Sequence, residues 1–144
     1  MQRLLVLVIA GIFWLLSGIA SPAYALIPVE LTDLDYTACP EEAEYDGMVT
    51  PGSAQAANCF LITGKAINRS GKPVVDADIF GRIYDANNNP VMQNRTRLGG
   101  IPEVPPGESK FELRISVASN QPEPLKLEQF KASGFTGQVR RFQR

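Results

Sequence analysis

The hydrophobic pattern of this 144-residue chain changes character once, near residue 25. Before that point Arg3 is followed by an apolar run over residues 4–16, broken only by Gly11. Small and polar-leaning residues then lead to Ala23, Tyr24 and Ala25, with Pro22 breaking any helix. A short positive start, an apolar stretch of this length and small residues before the cut are the three parts of a secretory signal peptide. A bilayer span needs about 20 apolar residues. Residues 1–25 are therefore expected to be a cleaved signal, the alternative being an uncleaved anchor lengthened by Gly18, Ile19 and Ala20. Cys39, the first cysteine, follows Asp35-Tyr36-Thr37-Ala38, which is no lipobox.

Beyond the signal the pattern alternates with a period of two, and no sustained helical period appears. Residues 26–34 predict a first, edge strand that begins after Pro28. Residues 59–68 predict a second, with Phe60, Ile62, Gly64 and Ala66 on one face. The turn that follows offers Gly71 for a positive φ. Residues 74–84 predict a third strand, whose apolar set is Val75, Ala77, Ile79, Gly81 and Ile83. An Asn-rich hairpin loop, ending at Pro90, leads to a more polar strand over 91–97, which Gly99-Gly100 and Ile101-Pro102 interrupt. The cleanest alternation is Phe111, Leu113, Ile115 and Val117 against Glu112, Arg114 and Ser116. Leu125 and Leu127 continue at strand spacing, with Phe130 after a break in register, and residues 134–142 read as a weak last strand or a tail. Short strands separated by turn signals predict an all-β, antiparallel sandwich of about six to seven strands.

The cysteines sharpen this picture. Cys39 and Cys59 both lie beyond the signal, and in an exported protein an even count favours a structural disulfide. Two free thiols or a redox pair are the other readings, although the spacing is far from CxxC. Between them runs a segment rich in Glu, Gly, Pro, Ser and Ala that has little to bury. The chain thus divides into a signal (1–25), an acidic extension with its disulfide loop (26–58), a sandwich (59–133) and a basic tail (134–144).

Charge balances at −1 overall but is segregated. Glu30, Asp33, Asp35, Glu41, Glu42, Glu44 and Asp46 precede Lys65, while Lys126, Lys131, Arg140, Arg141 and Arg144 close the chain. With no basic surplus, nucleic acid is not an expected partner. The acidic loop and the tail are either solvated or docking segments.

Parts of the chain resemble a known family. Gly64-Lys65-Ala66-Ile67-Asn68-Arg69-Ser70-Gly71-Lys72-Pro73 resembles a strand and turn of the FxLYD type of immunoglobulin-like domain in bacterial envelope proteins. Ile83-Tyr84-Asp85-Ala86-Asn87 is similar to its "LYD" strand end, and residues 105–111 to its "PPGxS-x-F" turn. The motif's phenylalanine falls on Gly81, with Phe80 one place earlier, and Asn88 or Asn89 stands where a glycine is usual. The resemblance implies an immunoglobulin-like fold and no particular activity. The signal's ending and the cysteine-bearing acidic extension are similar to small lumenal or periplasmic proteins of cyanobacteria. That likeness implies a periplasmic or thylakoid-lumen location and a protein partner at a membrane complex, including a photosynthetic one.

The residues say little of catalysis. The chain has no histidine, which removes Ser-His-Asp and Cys-His chemistry and the commonest transition-metal ligand. It has no GxSxG, Walker or GxGxxG motif. Asp33 with Asp35, or the acids at 41, 42, 44 and 46, offer oxygen ligands for Ca²⁺, but without the EF-hand arrangement. Asp76 and Asp78 share a strand face with Arg82 and read as ion-paired or solvated. Asn68-Arg69-Ser70 and Asn94-Arg95-Thr96 fit the N-glycosylation pattern. The expectation is a non-enzymatic interaction domain with no cofactor and no metal. Its candidate contacts are Tyr45, Glu41, Glu42 and Glu44 in the loop and Phe135, Arg140, Arg141 and Phe142 at the tail, with Tyr36 a further exposed aromatic. The alternative is a Ca²⁺- or carbohydrate-binding module on the same scaffold.

Overall fold

The computed structural model describes residues 26–40, 54–92 and 97–137. The expected signal lies outside them. Within them the alternating sequence forms six antiparallel strands: β1 (Ile27–Ala38), β2 (Ala57–Asn68), β3 (Val74–Tyr84), β4 (Arg97–Val104), β5 (Gly107–Ala118) and β6 (Lys126–Phe135). The all-β antiparallel expectation holds. The strands are hydrogen-bonded in the order β4-β3-β6-β1-β2-β5.

That order folds over at β1. Ile27, Pro28 and Val29 pair with Gly134, Ser133 and Ala132 of β6, whereas Glu30 onward pairs with β2. The register shifts between Thr32 and Asp35, where Asp33 takes φ 51°. Aspartate tolerates the left-handed region better than most residues. β1 is therefore an interior strand serving both layers, not the edge strand that Pro28 suggested. The proline sits at the second residue of the strand, where a missing N–H is tolerated. The sheet thus draws on residues that the sequence placed in an N-terminal extension.

β2 and β5 pair without a shift from Ala57–Ala118 to Asn68–Gly107. Phe60, Ile62 and Ala66 on β2 and Phe111, Leu113, Ile115 and Val117 on β5 are buried, as their alternation predicts. On β3 the predicted set is buried except for one change. Val74 is buried and Val75 only half so, because Asp76 adopts φ 50° within a register shift against β6 and reverses the parity.

Two elements differ from expectation. Pairing in the 91–97 region stops early among the described residues: the Val91 amide donates to the Ile83 carbonyl, after a single bridge between Tyr84 and Pro90. β4 instead runs through Gly99, Gly100 and Pro102. A Cβ on Gly99 would overlap Leu113 Cδ1, so the missing side chain lets β5's leucine pack beneath β4. Pro102 is accommodated because β4 is bonded on one side only, to β3. β6 also extends to Phe135, past the expected boundary at residue 133.

At the position where the family resemblance expects a phenylalanine, Gly81, a ring comes from the neighbouring strand. A Cβ there would lie 2.6 Å from Phe130 Cδ2, so Phe130 packs directly on the β3 backbone.

The two layers are joined at one end by Asn68, which is 2% exposed. Its Nδ2 donates to the Val104 carbonyl (3.0 Å) and the Lys72 carbonyl (2.7 Å). Its Oδ1 accepts from the Ser70 amide (3.0 Å) and hydroxyl (2.7 Å). Replacing Asn68 with Ala leaves the buried Val104 carbonyl without this partner, at a cost of about 1–3 kcal/mol, and removes three part-buried hydrogen bonds. Asn68→Ala is expected to lower stability by about 3 kcal/mol, read as a fall in urea midpoint at unchanged slope. A loss below about 1 kcal/mol would contradict a joining role.

Candidate functional site

Two regions bring together groups that the sequence singled out. The first is the end of the sandwich where β1 stops and β2 begins. Cys39 and Cys59 form a disulfide with Cα atoms 5.3 Å apart. The Cys39 amide donates to the Cys59 carbonyl at 3.0 Å, so the bridge extends the β1–β2 ladder. Arg114, across β5, donates from Nε to Cys59 Sγ at 3.1 Å. The bridge thereby clamps both ends of the acidic segment to adjacent strands.

Tyr36 closes the same end. Its hydroxyl accepts the Leu125 amide (2.9 Å) and donates to Glu123 Oε2 (3.3 Å), and its ring stands edge-on to Phe60 at 5.6 Å. The exposed aromatic of the sequence reading is therefore a structural tie between β1 and the loop before β6. Glu41, Glu42, Glu44 and Tyr45 lie outside the described residues, as do Arg140, Arg141 and Phe142. Phe135 is the last residue of β6, half-buried and opposite Val75. It lies at the end of the sandwich away from the disulfide, beside Gly134, which pairs with Ile27. The disulfide and the last residue of β6 thus lie at opposite ends of the scaffold, about 30 Å apart along a ten-residue strand.

The second region is a shallow groove where β1 leaves β6. Val29, Leu31, Phe130 and Ala132 give it an apolar floor, and Glu30, Arg69 and Lys131 form its rim. Arg69 is held there by Glu30 Oε2 at 2.9 Å.

The other candidates resolve into structural contacts. Asp33 pairs with Lys65 (3.1 Å), which also reaches Glu108 (3.2 Å). The Asp33 hydrogen bond, then Glu108, pull the Lys65 pKa upward. Asp35 turns away and accepts the Tyr36 amide at 2.8 Å, so the two aspartates share no ligand position. Asp78 pairs with Arg97, not Arg82, because Arg82 lies opposite Glu128 on β6. Among the described residues no group of three His, Cys, Asp or Glu side chains is placed to hold a metal, and no helix is long and apolar enough to cross a membrane. The Asn68 sequon is buried with its amide engaged, so Asn68 is no glycan acceptor in the folded chain. Asn94 lies outside the described residues.

Asp85 is a functional-looking acid that proves to be a loop anchor. It is 1% exposed and accepts the amides of Asn87 and Asn89, both at 2.8 Å, and the Asn89 side chain at 3.1 Å. Desolvation alone would raise its pKa. The Asn89 and Asn87 hydrogen bonds and the nearby Lys126 charge outweigh it and hold the carboxyl below the ordinary aspartate range. The Asp-Ala-Asn-Asn-Asn run signals this turn in the sequence, but not the burial of its first residue.

No protein-family model, no curated protein sequence and no solved structure matches the chain.

Two outcomes follow from this geometry. A carboxyl whose folded pKa is depressed stabilises above its unfolded value, near 3.9 (roughly), and loses that contribution as pH falls through the lower folded value. Asp85→Asn is expected to lower the thermal midpoint at neutral pH and to flatten its fall below about pH 4. An unchanged acid limb would remove Asp85 from that role. Reducing the Cys39–Cys59 bridge is expected to cost about 3 kcal/mol for a loop of this length, measured by denaturant unfolding with and without dithiothreitol. A Cys39→Ala/Cys59→Ala variant with undiminished stability would show the bridge to be dispensable.

Proposed function

We propose that this chain is a non-enzymatic interaction module acting outside the cytoplasm, an accessory or assembly factor of a membrane-associated complex in a periplasm or thylakoid lumen. The observation that carries this reading is the Cys39–Cys59 bridge. Disulfides persist in oxidising compartments. This one fixes the base of an acidic segment that has few apolar residues of its own. Holding the ends of such a segment lowers the entropy lost when a partner orders it. β6 ends at the opposite end of the scaffold from the bridge, and the basic residues that follow it in sequence supply a second docking segment. The immunoglobulin-like, FxLYD-type resemblance fits a scaffold of this kind, and a chain without histidine suits binding better than hydrolysis.

Crosslinking in the native compartment followed by mass spectrometry tests it. Subunits of one membrane complex are expected to be recovered reproducibly with the unaltered chain. Recovery is expected to fall at least about tenfold with Glu41→Gln/Glu42→Gln/Glu44→Gln or with truncation after Gly137, which leaves β6 intact. Undiminished recovery with both variants would remove the appendages from the function.

A further inference from the structure

β6 has two edges, and only one is paired along its length. Toward β3 its register runs from Lys126–Tyr84 to Phe135–Val75. Toward β1 it pairs only at Ala132, Ser133 and Gly134. β1 then turns to β2, and among the described residues nothing pairs with 126–131 on that side until Tyr36 reaches the Leu125 amide. Six residues at about 3.3 Å each make an open edge of about 20 Å, the length of an ordinary strand. Glu128, Gln129 and Lys131 on this stretch are exposed. Phe130 is half-buried and turned onto the apolar floor of the groove.

The charge around this edge is mostly positive. Among the described residues Arg82 and Lys131 take part in none of the ion pairs, which use Lys65, Arg69 and Arg97. Lys126 Nζ donates to the neutral Asn88 side-chain oxygen and lies near the Asp85 carboxylate without forming an ion pair with it. Glu128, opposite Arg82, is the one acid on the stretch itself. Arg82, Gln129, Phe130 and Lys131 also line a second depression that extends over Phe80.

We propose that residues 126–131 are a strand-addition site for an extended acidic segment of a partner protein. This rests on the interaction-module reading and gives it a surface and a partner chemistry. The partner's backbone completes the ladder on the open side of β6. Its alternate side chains, being two residues apart, face opposite ways: apolar ones lie against Phe130 and Val29, and carboxylates face Lys126, Lys131 and Arg82. Main-chain hydrogen bonds supply affinity in such pairing and side-chain pockets supply selectivity. A second copy of this edge is a poor occupant, because two antiparallel β6 edges set lysine against lysine. The register shift at Gln129, with φ 55°, and the flanking lysines also deter long uncharged strands.

The test uses the chain recovered after export and a peptide of about ten residues alternating Glu with Val. Amide hydrogen exchange is expected to slow within 126–131 on peptide addition, and not along the outer edge of β5. Affinity is expected to fall with salt, and at least about tenfold when Lys replaces Glu in the peptide or in an Arg82→Glu/Lys131→Glu variant. Lys131→Gln, a milder change at an exposed position, is expected to weaken binding in the same direction. Protection at another edge, equal binding of both peptides, no binding at millimolar peptide, or protection that grows with protein concentration alone would each overturn the proposal. Native crosslinking with Arg82→Glu/Lys131→Glu separates the two readings. Partner recovery equal to the unaltered chain defeats the edge and leaves the module. Peptide protection at 126–131 without any native partner defeats the module and leaves the edge.

Discussion

The buried amide of Asn68 is the contact on which the sandwich closes. β2 ends at Asn68 and β4 ends at Val104, in different layers, and one side chain bonds across the gap while organising its own turn. Only an amide offers two donors and a carbonyl oxygen in so small a group. A buried network of this kind specifies one arrangement because partial satisfaction is costly. Alternative registers of β2 against β5 would move Asn68 from Val104 and strand its hydrogen bonds. Gly71 follows at φ 74°, which lets the chain turn back toward β3 over the Lys72 carbonyl.

From that fixed end the layers are shaped by three interruptions. Asp33, Asp76 and Gln129 each take a positive φ at or beside a register shift. At Asp33 the shift lies within the β1–β2 ladder, three residues beyond the point where β1 passes from β6 to β2. At Asp76 it exchanges which of Val74 and Val75 is buried. At Gln129 it sets Phe130 over Gly81, where no side chain competes. Local irregularity thus converts a continuous strand order into two packed layers, and it leaves β6 half-paired where β1 departs. The open edge is a geometric consequence of the same crossing that builds the core.

Much of this is legible in the sequence and some is not, for identifiable reasons. Phe111, Leu113, Ile115 and Val117 announce β5 because one face is buried and the other wet. The disulfide partners are readable because the chain has only two cysteines. β4 is unreadable: its glycines and proline are turn residues by type, and they serve a strand only because Leu113 fills the space over Gly99. Arg97 rather than Arg82 meets Asp78 because strand pairing, not spacing, decides which charges are neighbours. Asn68, Asp85 and Tyr36 look like surface polar residues to composition, yet each binds backbone groups far along the chain or across its loop. The groove at Phe130 has no local signature, since its floor joins β1 and β6, which are distant in sequence.

The surface charges complete the argument. Asp33, Glu30, Asp78 and Glu108 are each paired with a nearby cation, and all of these pairs are solvent-accessible. Exposed pairs of this kind contribute at most about 1 kcal/mol, so their weight lies less in stability than in what they neutralise. They balance the cations of β2, β4 and the β2–β3 turn, and among the described residues they leave Arg82, Lys126 and Lys131 around β6 outside any ion pair. A field concentrated in this way steers oppositely charged partners and sets orientation before close contact. The groove beside Phe130 lies under that field, where among the described residues the β6 backbone also has hydrogen bonds to offer. Polarity, apolar floor and open ladder coincide because a single strand, β1, leaves β6 after Val29.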